Sequence, residues 1–276
     1  MMILCLHGVG SSGSLLERQM VNLRRELDPA FELVFVDGPF ACKRGPGVPG
    51  DYPGPFFSHT RGYSPADIEE AVDYLEDILD AEGPFDGIFA FSQGAALTLS
   101  YLHRQQASGG DLKVKFACLF SAAIPCSTDA SVGEEVVSRL RSLEYDITDR
   151  DSSSYSSLTP PEQELVDILQ ETVVTAADHD PHFPWADMNL YRYGDSEAIP
   201  RVMYASLLAQ KIQIPTIHVW GQKDFGYMIK MAQVARNLCD EALTQTVLHG
   251  GYHDLPRNPM EVKAVLRKLD WAVRQM

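Results

Sequence analysis

The chain has 276 residues, 45% of them apolar and 22% charged, enough for a sizeable core and contrary to intrinsic disorder. Its 23 Lys and Arg face 38 Asp and Glu, and a net charge of −15 repels phosphate, arguing against nucleic acid and anionic membranes as partners. Five cysteines without C-x-x-C spacing imply neither a disulfide framework nor a zinc site, and with no signal-peptide pattern or membrane-length apolar run a soluble cytoplasmic protein is expected.

Short apolar runs alternate with helix-period segments, which predicts an α/β architecture: a mainly parallel sheet flanked by helices. Ile3 to Leu6 reads as the first strand. A helix follows, with Ser14 as its predicted N-cap, Glu17 closing a capping box and Leu16, Met20, Leu23 and Leu27 as its apolar stripe. Phe31 to Val36 is the second strand. The Pro- and Gly-rich stretch Gly38 to Tyr63 is too long for a plain connection and reads as a functional loop. Ser64-Pro65 then opens a helix that buries Ile68, Val72, Leu75 and Leu79.

Gly87 to Phe91 is a strand followed at once by a helix from Gln93 to about Gln105. Further strands are predicted at Val114 to Phe120, Ile212 to Trp220 and Thr246 to His249, with helices near Tyr227 to Ala242 and from Asn258-Pro259 onward. Residues 127–209 break the alternation, with helical stretches near Val132 to Leu143 and Pro161 to Val173 and no convincing strand. One domain, 1–276, with 127–209 as a lid-like insertion is the expected organisation.

The strongest chemical signal is Phe89-Ala90-Phe91-Ser92-Gln93-Gly94-Ala95-Ala96. A nucleophile elbow needs a buried strand, a sharp turn with serine at its tip and an immediate helix, with small residues flanking the turn. Gly94 supplies one small residue and Ala90 the other. The rival reading of Ser92 is a plain helix N-cap. A serine hydroxyl becomes nucleophilic only when a base takes its proton, so a histidine oriented by a carboxylate must follow, in the order Ser, acid, His. Ile217 to Trp220 runs into Gly221-Gln222-Lys223-Asp224, and Val247 to His249 into Gly250-Gly251-Tyr252-His253. Asp224 is the candidate acid, although a surface turn aspartate is its plain alternative. His253, beyond its turn, is preferred as base over His249, which closes the strand and reads as a structural histidine.

Two backbone N–H groups must meet the developing oxyanion. Gln93, at a helix N-terminus, and Val9, in the Gly-rich loop His7 to Gly13, are the candidates. That loop lacks the order of a nucleotide-binding motif. Phe56, Phe57, Phe183, Trp185 and Tyr227 are candidate substrate-pocket residues, with loop packing as the alternative. Asp178, His179, Asp180 and His182 have the residue types of metal ligands, but a loop is the better reading of a run beside Phe183-Pro184-Trp185, and neither metal nor cofactor is expected.

Taken together, Ile3-Leu4-Cys5-Leu6-His7-Gly8, Asp37-Gly38-Pro39, Phe91-Ser92-Gln93-Gly94-Ala95-Ala96, Gly221-x-x-Asp224 and Gly250-Gly251-x-His253-x-x-Pro256 resemble the family of serine hydrolases (FSH) branch of the α/β-hydrolases. That branch includes small eukaryotic esterases and fungal polyketide-releasing thioesterases, and the resemblance spans nearly the whole chain. It implies the α/β-hydrolase fold and a triad of Ser92, Asp224 and His253. Ala90 replaces the family's glycine, and Tyr252 is inserted before His253. The expected function is a serine carboxylesterase or thioesterase working through an acyl-enzyme on a small-molecule ester or acyl thioester. Resemblance to the polyketide-releasing members adds an acyl carrier protein as a partner, for which Lys43-Arg44 is a local basic patch. The alternative is a non-hydrolytic use of the fold, either a lyase or cyclase acting on a β-dicarbonyl or a ligand-binding receptor.

Overall fold

Short apolar runs align side by side as strands, and those at the centre of the sheet are buried on both faces. A computed structural model describes residues 1–276. In chain order the strands are β1 (Met2–Leu6), β2 (Glu32–Val36), β3 (Phe40–Ala41), β4 (Phe57–Ser58), β5 (Gly87–Phe91), β6 (Phe116–Phe120), β7 (Thr216–Gly221) and β8 (Thr244–His249). The helices are α1 (Gly13–Gln19), α2 (Val21–Glu26), α3 (Pro65–Ala81), α4 (Gln93–Ser108), α5 (Glu134–Ser142), α6 (Pro160–Leu169), α7 (Thr175–His179), α8 (Leu190–Tyr193), α9 (Gly226–Asn237) and α10 (Pro259–Gln275). The main sheet is wholly parallel, in the order β2-β1-β5-β6-β7-β8, and β3 and β4 form a separate antiparallel ribbon.

The period-two alternation of the strands divides the interior into two cores. Leu4, Leu6, Ile88, Ala90, Ala117 and Leu119 face α3, α4 and α9, whose apolar stripes complete the larger core. Ile3, Cys5, Phe89, Phe91, Cys118, Phe120, Ile217 and Val219 face the other way, onto Leu16, Met20, Leu23 and Leu27 and onto Val262, Val265 and Leu269 of α10.

Two local expectations are corrected. Ser12, not Ser14, caps α1, accepting from the Leu15 N–H at 3.2 Å. The Gly13 N–H is drawn onto Asp37 Oδ1 (2.8 Å), which starts the first turn earlier, and the Ser14 hydroxyl meets the Tyr52 hydroxyl at 2.7 Å instead. Strand β7 begins at Thr216, after Pro215, and Ile212 makes only an isolated bridge to Cys239. A proline has no N–H to give a central ladder.

The segment between β6 and β7 holds α5, α6, α7 and α8 but no strand. A five-residue π-helix, Gln170–Val174, joins α6 to α7. The neck is tied by the Cys126–Val202 bridge and by the Ser127 N–H donating to Arg201 O at 2.8 Å. Val136, Leu140, Leu165 and Leu169 merge with the larger core, so the segment is packed into the domain.

Candidate active site

Ser92 occupies the turn between β5 and α4 with φ 52° and ψ −110°, a conformation that costs a non-glycine residue about 1–3 kcal/mol. The turn is held by its surroundings. The Ser92 N–H donates to Phe120 O (2.9 Å), and Ser92 O accepts from Ala96 and Ala123 (3.1 Å each). Gly94 is required by close approach, since a Cβ there would lie 2.7 Å from Leu6 Cβ and 2.8 Å from His7 O. Ala90 is buried without strain in the strand. Ser92 is thus no ordinary N-cap: its side chain makes no capping bond to α4.

Asp224 follows β7. Its carboxylate is buried, with Oδ1 accepting from the Phe225 N–H and Oδ2 bound to His253 Nδ1, both at 2.8 Å. An ionised carboxylate only accepts, so Nδ1 carries the proton and Nε2 keeps its lone pair. The His253 ring lies over Phe91, with centroids 5.0 Å apart. The two loops are mated backbone to backbone: Gln222 N–H donates to His249 O (2.8 Å) and Lys223 N–H to Gly251 O (3.0 Å). His249 stays in its strand, accepting the Gly251 N–H on Nδ1 at 3.2 Å.

Ser92 and His253 line one cavity together with Gly8, Val9 and Gln93. The N–H groups of Val9 and Gln93 have no acceptor within the protein. Of the predicted pocket residues, Phe183, Trp185 and Tyr227 line this cavity, whereas Phe56 and Phe57 do not. Phe57 is held in the β3–β4 ribbon, bonded through its backbone to Gly10 and Ser11, and Phe56 packs against Tyr52 and the Arg44 guanidinium. Tyr63, Val48, Met228 and Met231 complete the apolar wall. Neither methionine was expected in the pocket from the sequence; the signal for Met231 was its place four residues after Tyr227, on the same face of α9. The Asp178–His182 run brings no three metal-ligating side chains together; His179 packs on Phe225 and Tyr227, and Asp178 pairs with Arg150.

For Gln93, the structural role of the side chain carried no sequence signal. Its side chain accepts the His59 N–H (2.9 Å) and donates to Ser58 Oγ (3.0 Å) and Thr60 Oγ1 (3.2 Å), fastening the long loop to the elbow. His7 adds another tie, accepting the Gly38 N–H on Nε2 (2.9 Å) while Nδ1 bonds Gly8 O (2.7 Å). His59 stacks on it at 4.4 Å. Burial pushes both imidazoles below the usual histidine range, and for His59 the neighbouring His7 adds to the effect.

Comparison with known proteins agrees with this architecture. The sequence pattern of the serine hydrolase (FSH1) family matches residues 1–265. The chain belongs to the FSH1 serine hydrolase family. Esterase alnB of Emericella nidulans is 33% identical over 99% of this chain and 96% of its own length. Serine hydrolase cnsH of Penicillium expansum is 28% identical over 83% and 94%. Among solved structures, SOBER1 of Arabidopsis thaliana (TM-score 0.51, 15% identity, covering 99% and 98%) and the esterase RhEst1 of Rhodococcus (0.52, 16%, 98% and 90%) share the fold. In this FSH1 serine hydrolase Tyr252, next to His253, turns its side chain to solvent (68% exposed), clear of the His253–Asp224 bond.

Proposed function

We propose that this FSH1 hydrolase is a serine esterase in which Ser92, His253 and Asp224 are nucleophile, base and orienting acid. The carrying observation is the 2.8 Å bond from His253 Nδ1 to the buried Asp224, with His253 and Ser92 on the wall of one cavity. In this reading Ser92 Oγ attacks the acyl carbonyl carbon while His253 Nε2 takes the hydroxyl proton. The Val9 and Gln93 N–H groups stabilise the oxyanion, aided by the α4 dipole. His253 returns the proton to the departing alkoxide or thiolate, leaving an ester on Ser92. Water then attacks through the same base and releases the carboxylic acid.

The apolar wall of Phe183, Trp185, Tyr227, Met228 and Met231 suits an acyl chain, and methionines adapt to varied shapes. Phe183 and Trp185 come from the β6–β7 segment, which this reading makes the cover of the site. Oxygen esters and thioesters are both within reach of the chemistry, including an acyl chain of polyketide type borne on a carrier protein. Labelling with a fluorophosphonate tests the core of the reading. Ser92 is expected to be the labelled residue, with labelling strongly slowed in His253→Ala. An unlabelled Ser92, or a rate indifferent to His253, would overturn it. Comparing simple esters with carrier-bound thioesters then ranks the substrates.

A further inference from the structure

The peptide between Gly8 and Val9 stands beside the nucleophile. A Cβ on Gly8 would lie 3.3 Å from Ser92 Cβ and 3.1 Å from Phe91 Cδ1, so the backbone here passes against the elbow. The peptides on either side are pinned from outside the loop. His7 O accepts the Gly94 N–H (3.2 Å) and the His59 Nε2 proton (3.1 Å), and the Gly10 N–H donates to Phe57 O (2.9 Å). The peptide between them has one tie within the protein. Gly8 O meets His7 Nδ1 at 2.7 Å, and the Val9 N–H has no acceptor.

The proton on the His7 ring is placed by its partners. Nε2 takes the Gly38 N–H (2.9 Å) and so carries a lone pair, which in a neutral imidazole leaves the proton on Nδ1. Nδ1 therefore donates to Gly8 O. Burial keeps the ring neutral, against the smaller pull of Gly8 O and of the Asp37 charge. His59 stacks on it at 4.4 Å and holds its plane. In a trans peptide the C=O and the N–H point in opposite directions. A donor gripping Gly8 O thus sets the direction of the Val9 N–H, and by polarising the carbonyl it makes that N–H a stronger donor.

We infer that His7 is a positioning residue of the esterase: its Nδ1–H holds the Gly8–Val9 peptide so that the Val9 N–H faces the oxyanion formed at Ser92. His7 is fully buried and does not line the cavity, so it acts through the peptide and touches no substrate. The bonds run from the Gly38 N–H through the imidazole to the peptide, which makes the loop after β2 a support of the oxyanion donor. This rests on the esterase reading above and adds a residue to its machinery.

The two ring nitrogens can be tested separately. The amide of asparagine overlies Nδ1 and can donate to Gly8 O, whereas that of glutamine overlies Nε2 and can accept the Gly38 N–H. His7→Gln keeps the tie to the β2 loop and loses the grip on Gly8 O; His7→Asn does the reverse. With p-nitrophenyl acetate, His7→Gln is expected to lower kcat about 100-fold and to leave KM within about twofold. Inhibition by a trifluoromethyl ketone, which forms the same oxyanion on Ser92, should weaken by a similar factor. His7→Asn should lose no more than about tenfold in kcat. A purely structural role would lower the thermal midpoint of both variants and spare kcat. Equal kcat in the two, or a folded His7→Gln within about threefold of wild type, overturns the inference. Heteronuclear NMR of histidine-labelled wild type reads the same point without a variant: the His7 proton should sit on Nδ1 and move downfield when the ketone binds. A proton on Nε2, or a resonance indifferent to the ketone, also overturns it. If the wild type leaves the acetate intact and Ser92 is not labelled by a fluorophosphonate, it is the esterase reading that fails.

Discussion

The α-carbon of Gly221 lies against the carbonyl of Tyr252, so closely that a Cβ at position 221 would be 2.2 Å from that oxygen. It would also be 2.4 Å from Gly251 O. The loop carrying Asp224 and the loop carrying His253 thus touch backbone to backbone, and glycine at the end of β7 makes that possible. Gly221→Ala must push the loops apart and lengthen the His253–Asp224 bond. A fall in kcat/KM of about 100-fold is expected, as for an angstrom-scale misplacement, with the far-ultraviolet circular dichroism retained. Wild-type kinetics in a folded Gly221→Ala protein would contradict the coupling.

Asp224 fixes which nitrogen of His253 is free. An asparagine in its place would offer an amide that can donate as well as accept, allowing the wrong tautomer. Asp224→Asn is expected to lower kcat by roughly 10⁴-fold with little change in thermal midpoint, read from initial rates on a p-nitrophenyl ester.

The elbow makes opposite predictions at its two flanks. Gly94→Ala forces a Cβ into Leu6 and His7, and overpacking of that kind costs typically about 1–3 kcal/mol or more. Ala90→Gly removes only a methyl from a buried strand and should cost about 0.5–1 kcal/mol, with esterase activity kept. Chemical denaturation of both variants separates them. Equal losses would show that Gly94 is not sterically required.

Gln93 is expected to report on the long loop. Gln93→Ala keeps the backbone N–H but leaves the buried His59 N–H without its acceptor, a loss of about 1–3 kcal/mol. Urea unfolding of Gln93→Ala against the wild type reads that loss, and an unchanged midpoint would contradict it.

Acid should weaken the fold above the range where carboxylates titrate. His7, His59 and His218 are buried and held neutral, His218 being pushed down to about 3 by burial and, secondarily, by Arg236. The unfolded chain protonates them near pH 6.5 and the folded chain does not. Their contribution is therefore complete above pH 6.5 and is lost as pH falls below it, at up to about 1.4 kcal/mol per pH unit for each. Urea unfolding at pH 7.5, 6.5 and 5.5 checks this, and a flat profile would contradict it.

The framework was legible because it depends on local patterns: apolar runs set the strands, and the strand–turn motifs around Ser92, Asp224 and His253 set the order of the site. The rest depends on distant partners. Asp37 draws the Gly13 N–H and so moves the helix cap from Ser14 to Ser12. Phe56 and Phe57 stay out of the cavity because Gly10 and Ser11 pair with the backbone at Phe57. Nothing near Tyr63 in the sequence announces that it meets Pro184, 121 positions later.

The strand order has a consequence for the chain as it is made. Gly8 and Val9 follow β1, Ser92 follows β5, and Asp224 and His253 follow β7 and β8. In the proposed mechanism a growing polypeptide already holds its serine and both oxyanion donors by residue 93, yet has no base until residue 253 has been added. Through most of its synthesis the nascent protein is chemically silent. On that mechanism reactivity arrives only after β8, the edge strand that carries His253 at its end, has been made.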